Sequence, residues 1–570
     1  MFPNRRPQMI LLFAYIFNLI GFARGSPAAQ EQQSLGDGQM FNDQKPLLPS
    51  NSFTNRTHAL PAFVNALDVL QSSYFEVWQG NWPNGIDWTK AVIGTYLSSA
   101  LLTISTSFDA LSSQKDSENL VNKYFSHLIA AYFGQDAFAL RQQAYDDMLW
   151  VVLGWLESVK FINEHSTNHY SSSSSPGGDW YAQDYIPAFA HRARIFWELA
   201  SQGWDTSLCS GGMIWNPYLV PYKNAITNEL YISASISMYL YFPGDKNTSP
   251  FGFAGPTELA GVDAPPGRSH DPKYLAAAIE AYRWLNNSNM TDAKGLYVDG
   301  YHISGWSREQ PQNRSHNTRC DARNEMVYTY NQGVLLSGQR GLYEATGARS
   351  YLEDGHKLVA DVISATGWDL KHNKAPPRTN TPAKWQGLGR SGVLEEACDA
   401  PGFCSQDSQT FKGIFFHHLT IFCSVLPDHL VLPDGIFVGK ELADDSKLHV
   451  KLCNRYGRWI RHNAEAAMAT KDAEGRFGMW WGAPSRSGEN DFDSEAELPD
   501  HAVDYRNTGV PQKWKNSEKS VPRVVDEEVR EQDRKVGARD LNDRGRGRTV
   551  ETQSGGVAVL RALWELTDTR

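Results

Sequence analysis

The sequence lacks any hydrophobic run long enough to cross a membrane. Its longest apolar stretch, residues 9–22, has about 14 residues, whereas a spanning helix needs about 20. The stretch follows Arg5 and Arg6 and precedes the small-residue site Ala23-Arg24-Gly25, which is the order of parts in a secretory signal peptide. An uncleaved membrane anchor is the alternative, but the run is too short for it. We therefore expect a cleaved signal peptide at residues 1–25 and a secreted protein, extracellular or associated with the cell wall.

Basic residues and cysteines are also scarce. The chain has 54 Lys and Arg against 64 Asp and Glu, a net charge of −10, which argues against nucleic acid as a partner. None of the six cysteines forms a Cys-x-x-Cys pair, so we expect no metal site from them. An even number of cysteines in a secreted chain indicates disulfides, and only Cys398 with Cys404 is suggested by spacing.

The C-terminal residues and the N-glycosylation motifs also agree with secretion. The last residues, Leu566 to Arg570, carry no apolar tail of the kind that directs a lipid anchor, so we expect no stable membrane anchor. Five Asn-x-Ser/Thr acceptor sites for N-glycosylation are present: Asn55, Asn247, Asn286, Asn289 and Asn313. Each site is a weak signal alone.

Runs with strict alternation of apolar and polar residues are rare, whereas segments with helical periodicity recur along the chain. A helical solenoid should show a fixed sequence period, and none is visible, so a closed ring of paired helices is the better prediction. The periodicity predicts about twelve helices: 61–79, 88–105, 117–133, 138–165, 181–201, 222–241, 271–287, 323–346, 348–365, 408–426, 441–470 and 551–567.

Composition divides the chain into three parts. Residues 26–59 are rich in Gln, Ser, Asn, Gly and Pro without periodicity, which is typical of a flexible leader. We expect residues 60–570 to form the folded domain. Within it, residues 511–550 are unusually charged, and we expect a solvated, disordered insertion there rather than a polyanion-binding segment.

Two adjacent acids, Asp146 and Asp147, lie in a segment that is apolar nearly all round and so should be buried. Burial and mutual repulsion should separate their pKa values. One neutral acid beside one ionised carboxylate is the arrangement that hydrolyses a glycosidic bond. The alternative is a helix start that points to solvent, as expected for Asp444 and Asp445, which lie in a polar setting.

Several loops and helix starts combine aromatic rings with amides and carboxylates. Sugars present apolar C–H faces and hydroxyl edges, so such side chains make a matching surface. Packing between helices and helix capping are the ordinary alternatives for each residue. The candidate substrate-binding residues are Tyr145, Trp204, Trp215, Asn224, Asp299, Tyr330, Asn331 and Gln332.

Six ordered segments together resemble glycoside hydrolase family 76, the secreted α-1,6-mannanases of bacteria and fungi. The resembling segments are 145–150, 203–215, 222–228, 295–300, 329–347 and 411–413. The resemblance implies an all-α fold, an (α/α)6 barrel, and a retaining, endo mode of cleavage of α-1,6-mannan. It also implies that Asp146 is the nucleophile, that Asp147 is the general acid and base, and that no metal or cofactor takes part.

Two other functions stay open on the sequence alone. A transglycosylase would use the same two acids to pass the mannose core of a glycolipid-anchor glycan to another sugar. A mannan-binding protein without turnover would keep the groove alone, although both acids are present. The sequence departs from the family at Met148-Leu149, which replace more polar residues, so substrate length and linkage are less well defined than the reaction class.

Overall fold

The computed structural model describes residues 58–567, apart from position 112 and the stretches 171–178, 249–265, 307–316, 378–382, 433–434, 438, 484–495 and 511–539. These residues lie in one compact unit, Asn51–Arg570, and are mainly helical. The expected signal peptide at 1–25, nearly all of the leader and residues 511–539 of the charged segment lie outside the described residues.

The described residues form thirteen α-helices. Their bounds are α1 Ala59–Tyr74, α2 Asp87–Ser105, α3 Gln114–Gly134, α4 Ala137–Leu140, α5 Tyr145–His169, α6 Ile186–Ser201, α7 Ala225–Tyr241, α8 Pro272–Asn287, α9 Thr329–Thr346, α10 Ser350–Ala365, α11 Gln406–Phe422, α12 Lys440–Met468 and α13 Val550–Leu566.

Six of these helices close into an inner ring. Each packs against the next in the order α2, α5, α7, α9, α11 and α13, and α13 returns to α2. The outer helices alternate with them along the chain: α3 packs on α2, α6 on α5, α8 on α7, α10 on α9, and both α1 and α12 on α13. Six inner and six outer helices in alternation form an (α/α)6 barrel, so the expected all-α fold is confirmed.

The burial of each helix follows from its place in the barrel. Inner helix α7 is buried on nearly all sides from Ala225 to Tyr239, because it is covered by both neighbouring inner helices and by an outer one. Outer helix α12 is buried along one stripe, which includes Leu442, His449, Cys453 and Tyr456. That spacing of three, four and seven residues is the apolar face of an amphipathic helix.

The predicted helices match the observed ones in order, but 61–79 and 408–426 end earlier than predicted, at Tyr74 and Phe422, and others differ at their starts. The predicted span 138–165 breaks between α4 and α5, because Ala144 is extended and α5 begins at Tyr145. Two predicted helices, 222–241 and 323–346, begin instead with short strands, because their first residues pair with a third strand across the chain.

These strands form a small antiparallel sheet in the order β1-β2-β3. Strand β1 is Tyr222–Asn224, β2 is Val298–His302 and β3 is Ala322–Val327. Asn224 pairs with Gly300, where an added Cβ would lie 2.6 Å from the Asn224 Cα, so only glycine permits this approach. Two hairpins complete the strands, β4 Gly389–Arg390 with β5 Val393–Leu394, and β6 Leu430–Leu432 with β7 Gly435–Phe437.

The last part of the charged segment, residues 540–549, packs onto the barrel. Arg548 forms ion pairs with Asp540 and Asp543 and donates to the Thr470 carbonyl oxygen at 2.8 Å. Arg544 donates to the carbonyl oxygen of Ala400 at 2.7 Å. Among the described residues, no helix is long and apolar enough to cross a membrane.

All six cysteines are paired in disulfides. Cys398 bonds to Cys404, the pair suggested by spacing, and the other two bonds join Cys209 to Cys320 and Cys423 to Cys453. The Cys209–Cys320 bond joins residues 111 positions apart, and the Cys423–Cys453 bond joins residues 30 positions apart. Longer loops lose more conformational entropy when they are closed in the unfolded chain.

Removal of the Cys209–Cys320 bond should therefore destabilise the protein most. We expect the Cys209→Ser, Cys320→Ser double variant to lose about 4 to 5 kcal/mol of unfolding free energy, the range for a closed loop of about 100 residues. The matched Cys423→Ser, Cys453→Ser variant should lose about 1 kcal/mol less. Urea unfolding monitored by circular dichroism measures both, and an equal or reversed order would contradict the loop-length argument.

Candidate active site

The inner helices run parallel and begin at the same end of the barrel. At that end, Trp88 of α2 donates to Asp407 of α11 at 2.9 Å, and Thr89 of α2 bonds to Glu551 of α13 at 3.2 Å. At the other end, Thr103 of α2 bonds to Glu565 of α13. Six helix N-termini, each with a partial positive charge, therefore converge on one face, where they favour carboxylates.

Asp146 and Asp147 lie on this face, in the first turn of α5. Asp147 Oδ2 accepts the Ala144 backbone N–H at 3.1 Å, which caps the helix. Asp146 Oδ1 accepts the Asp147 N–H at 3.1 Å, and its Oδ2 accepts the Trp215 indole N–H at 3.0 Å. The pair thus starts a helix, yet Asp146 is 4% exposed and does not point to solvent.

The two carboxyl groups differ in their surroundings. Burial raises the pKa of both, and the charge of Asp146 raises that of Asp147 further. The Arg506 guanidinium and the Trp215 hydrogen bond offset part of the rise for Asp146. Asp146 therefore ionises first while Asp147 keeps its proton, which places a carboxylate next to a carboxylic acid.

Arg506 is the cation that faces this pair. It lies in a 3-10 turn, Tyr505–Asn507, with Nη2 3.8 Å from Asp146 Oδ2. Its guanidinium covers the rings of Trp215 and Tyr330 at 5.2 and 5.8 Å from their centroids. Burial alone would lower its pKa, but the nearby Tyr330, Asp146 and Asp299 raise it, so it stays charged.

The turn that carries Arg506 is held by strand β3 and helix α11. Asn324 accepts the Val503 N–H at 2.7 Å and donates to the Val503 carbonyl oxygen at 2.9 Å. The Tyr328 hydroxyl donates to Asp504 at 2.8 Å, and the Asn507 amide donates to the Ser408 hydroxyl at 3.0 Å. The small sheet thus places the arginine over the acid pair.

A third acid, Asp299 on β2, is buried near Arg506. Its Oδ2 accepts the Tyr222 hydroxyl at 2.6 Å and the Asn324 amide at 3.1 Å. Its Oδ1 is buried and has no hydrogen-bond partner within the described part of the chain. Burial raises the Asp299 pKa, and Arg506 opposes that rise.

Among the other predicted substrate-binding residues, Trp215 and Tyr330 lie with Arg506 around Asp146. The Tyr330 ring stacks on Phe411 at 3.8 Å between centroids, and its buried hydroxyl has no partner among the described residues. Tyr145 is half-buried at the start of α5, where its backbone N–H donates to the Trp215 carbonyl oxygen at 2.9 Å.

The remaining four predicted residues divide into two kinds. Asn224 and Asn331 are buried at the starts of α7 and α9, and the described residues offer their side-chain amides no partner. Gln332 is used within the fold, because its amide bonds to the backbone of Tyr297 and Tyr328. Trp204 stacks on Tyr231 of α7 at 5.9 Å. No contact among the described residues joins Gln332 or Trp204 to Asp146 or Asp147, and their part in substrate binding stays a prediction.

Several of the resembling segments build the walls of the site. Lys223 Nζ donates to the carbonyl oxygens of Asp205, Gly211 and Gly212 at 2.8, 2.9 and 2.6 Å, which fixes the loop before Trp215. Lys412 Nζ bonds to the buried Asp399 at 2.6 Å. These contacts show that segments 203–215 and 222–228 hold the loop that leads to Trp215, and that segment 411–413 is tied to Asp399 in the loop before α11.

Sequence reasoning missed Arg506 and a second buried acid, Glu396. Glu396 accepts the Thr329 backbone N–H at 3.0 Å and so caps α9 one residue before Tyr330. Burial raises its pKa to about 8. Arg506 lies in a polar stretch and belongs to no sequence motif. Two buried acids call for a nearby cation, but the sequence does not indicate which of the 54 lysines and arginines supplies it.

Among the described residues, two groups of side chains lie close enough together to be the ligands of a metal ion. They are His356, His449 and Cys453, and Cys398, Asp399 and Cys404. In both groups the cysteine sulfur is already bonded in a disulfide, so it offers no thiolate to an ion. Neither group forms a hydrogen bond or ion pair with Asp146 or Asp147 within the described part of the chain.

Comparison with known proteins confirms the family resemblance. Residues 268–431 match the sequence model of glycosyl hydrolase family 76. Mannan endo-1,6-alpha-mannosidase DCW1 of Candida glabrata is 21% identical over 254 residues, which are 43% of this chain and 42% of that protein. The Saccharomyces cerevisiae DCW1 protein is 22% identical over 249 residues, 42% of this chain and 41% of its own length. The chain thus covers about two fifths of the curated relatives that it matches.

Solved structures with similar folds have low sequence identity. An inactive variant of an α-1,6-mannanase of Salegentibacter sp., in complex with α-1,6-mannotriose, aligns with a TM-score of 0.49 and 16% identity. That alignment covers 90% of this chain and 100% of the other. Dfg5 of Chaetomium thermophilum, in complex with glucosamine, aligns with a TM-score of 0.48 and 14% identity over 90% of this chain and 92% of the other.

Proposed function

Starting from the match to glycosyl hydrolase family 76, we propose that this chain is a retaining glycoside hydrolase that cleaves α-1,6-mannosidic linkages within cell-wall mannan. The observation that carries the proposal is the pair of adjacent buried acids with unequal surroundings. Asp146 lies beside a guanidinium and an indole N–H, whereas Asp147 lies beside a carboxylate. The chemistry needs one group of each kind.

The two acids would act in sequence. The Asp146 carboxylate attacks the anomeric carbon and forms a glycosyl ester, while Asp147 donates its proton to the departing glycosidic oxygen. In the second step Asp147, now ionised, takes a proton from water, which attacks the anomeric carbon and releases Asp146. The Arg506 charge supports Asp146 each time it leaves as a carboxylate.

We place the sugar next to the aromatic and polar groups around the pair. The rings of Trp215 and Tyr330 offer apolar faces to the sugar C–H groups. The buried Asp299 Oδ1 and the Tyr330 hydroxyl have no partner within the described residues, so each is available to a sugar hydroxyl. Tyr145, Asn224 and Asn331 remain candidates on the same grounds.

We further propose that the protein acts outside the cell. Three disulfides suit an oxidising compartment. Of the glycosylation acceptor sites, Asn247, Asn286 and Asn289 are exposed in the described structure, where a glycan can be attached. The signal peptide expected at residues 1–25 supplies the route, and mannan in the wall is the substrate that this location offers.

Release of reducing ends from linear α-1,6-mannan by the purified protein tests the function. We expect oligosaccharides of several lengths early in the reaction, because internal cleavage produces them. A chain that passes mannose units only to added sugar acceptors would instead be a transglycosylase. A chain that binds mannan without forming any product would contradict enzymatic action altogether.

The pH dependence of the reaction should reveal the effect of Arg506 on the pKa of Asp146. Asp146 must be ionised to attack, and its pKa is raised to about 6, so kcat/KM should fall as the pH drops through that value. Arg506 lowers the pKa of Asp146. The acid limb of the kcat/KM profile of the Arg506→Gln variant should therefore lie about one pH unit higher than that of the parent.

Rate profiles between pH 4 and pH 9 measure this displacement, and Arg506→Lys is the matched control because it keeps the charge. The control should retain an acid limb close to that of the parent. An unchanged acid limb in Arg506→Gln would show that the arginine does not act on the charge of Asp146.

A further inference from the structure

A cavity of about 320 Å³ lies between α2, α3 and α5, and its lining residues do not include the acid pair. Small-molecule sites begin at about 300 Å³, so the cavity has room for a small ligand. Asp87 and Lys90 line it from α2, and Gly94 and Gly154 leave space on α2 and α5. An added Cβ on Gly94 would meet no heavy atom within 4 Å, so this part of the wall faces open space.

Two buried polar atoms in the wall have no hydrogen-bond partner in the described structure. Trp82 is 2% exposed, and its indole N–H donates to no group there. The side-chain oxygen of Asn81 likewise accepts no hydrogen bond. Buried polar groups are nearly always satisfied, so a donor and an acceptor left together at a cavity indicate a ligand that carries both kinds of group.

Large aromatic rings stand exposed on the segments that border the cavity. Trp78 is 81% exposed, Phe133 is 75% exposed and Phe138 is 61% exposed. The turn that carries Trp78 touches the end of α3, because an added Cβ on Gly134 would lie 2.3 Å from the Gly80 carbonyl oxygen. Exposed aromatic side chains on adjoining segments are typical of an interaction site.

We propose that this cavity and its three exposed rings, the rim pocket, bind a neutral sugar unit of the polysaccharide away from the cleaved bond. Flat rings match the apolar faces of a sugar, and the Trp82 and Asn81 groups match its hydroxyls. Asp87 and Lys90 pair with each other at 3.4 Å, and the third charged residue of the wall, Asp136, accepts the Ala139 N–H at 2.9 Å, so these charges already have partners within the fold. The identity of the sugar as mannose rests on the proposed function.

The rim pocket is connected to the acid pair by a short path. Asp87 lines the pocket and accepts the Gln143 amide at 3.1 Å, and Gln143 precedes Asp146 by three residues. Trp88, the neighbour of Asp87, bonds to Asp407 at the convergence of the inner helices. We therefore expect a chain of several sugars, and not a short one, to occupy both the pocket and the acid pair.

Two substitutions test the rim pocket without disturbing the core. Trp78→Ala removes an exposed ring, and Gly94→Leu fills the cavity from a helix interior, where leucine is also the better helix former by about 0.8 kcal/mol. Val425→Ala is the control, because Val425 is 53% exposed and lies beyond the end of α11, at the opposite end of the barrel. Thermal unfolding should show that all three variants fold.

The measurements are calorimetric binding of α-1,6-mannan to chains that also carry Asp146→Asn, and kcat/KM of the active chains on mannan and on α-1,6-mannotriose. We expect Trp78→Ala and Gly94→Leu to weaken mannan binding five- to tenfold, about the worth of one sugar-stacking ring. The ratio of kcat/KM on mannan to that on mannotriose should fall by a similar factor. Val425→Ala should match the parent in both.

Equal mannan binding by the parent and both pocket variants would overturn the rim-pocket proposal. Loss of self-association as the only effect of Trp78→Ala would also overturn it, because the rings would then form a protein–protein contact. Weakened mannan binding without any bond cleavage by the parent would support the pocket and refute the proposed hydrolysis. The two proposals therefore fail separately.

Discussion

Replacement of Asp146 by asparagine should reduce the rate of mannan hydrolysis by at least about 10⁴-fold, the scale of loss when a catalytic nucleophile is removed. An amide cannot form the glycosyl ester, because its nitrogen is a poor nucleophile and a poor leaving group. The side-chain oxygen of asparagine can still accept the Trp215 indole N–H, which lies 3.0 Å from Asp146 in the parent. The variant should therefore fold and bind mannan while failing to cleave it.

The sequence supplies a matched control for this variant in its second Asp-Asp pair. Asp444 is exposed on outer helix α12, far along the chain from the acids, so Asp444→Asn should hydrolyse mannan at the parental rate. Initial rates of reducing-end release measure both. Substantial activity in Asp146→Asn, in protein whose identity is checked by mass spectrometry, would remove Asp146 from the mechanism.

Replacement of Asp147 by asparagine should have an effect that depends on the leaving group. On mannan the variant should be about 10² to 10⁴-fold slower, because general acid catalysis contributes that much and the departing sugar oxygen needs a proton. An aryl α-mannoside with an acidic phenol leaves without a proton, so its first step should stay fast. The glycosyl ester should then accumulate, because no base activates water.

A burst of phenol followed by a slow phase measures this behaviour. Azide needs no base to attack the glycosyl ester, so its addition should raise the slow rate and yield a mannosyl azide. Asparagine keeps an oxygen that can accept the Ala144 N–H, so the start of α5 is retained. An equal loss on mannan and on the aryl mannoside, with no effect of azide, would show that Asp147 is not the general acid.

The barrel could be predicted from the sequence because inner helices are covered on all sides. The outer helices carry one apolar stripe and so show helical periodicity, whereas inner helices such as α7 are long buried segments without the strict alternation of a strand. The short strands β1 and β3 could not be predicted in this way. Residues 222–224 and 322–327 directly precede α7 and α9, and their pairing with β2 depends on contacts between distant parts of the chain.

The acid pair was also accessible from the sequence, since two adjacent acids in an apolar helix are costly without a function. The proposed roles of the two acids were not accessible from residue types alone. They depend on the Trp215 N–H and on Arg506, which is brought to Asp146 by a turn bound to Asn324 and Tyr328 from another part of the chain. Only the three-dimensional fold places that cation.

The central claim is that Asp146 attacks the sugar directly and Asp147 supplies the proton, which requires retention of configuration. Proton NMR of the first reducing ends released from α-1,6-mannan, recorded before mutarotation, measures the outcome directly. Our account predicts that the α anomer appears first and that the β anomer grows in later. If the β anomer appears first, water attacks the sugar in a single displacement, and Asp146 is not a nucleophile in this protein.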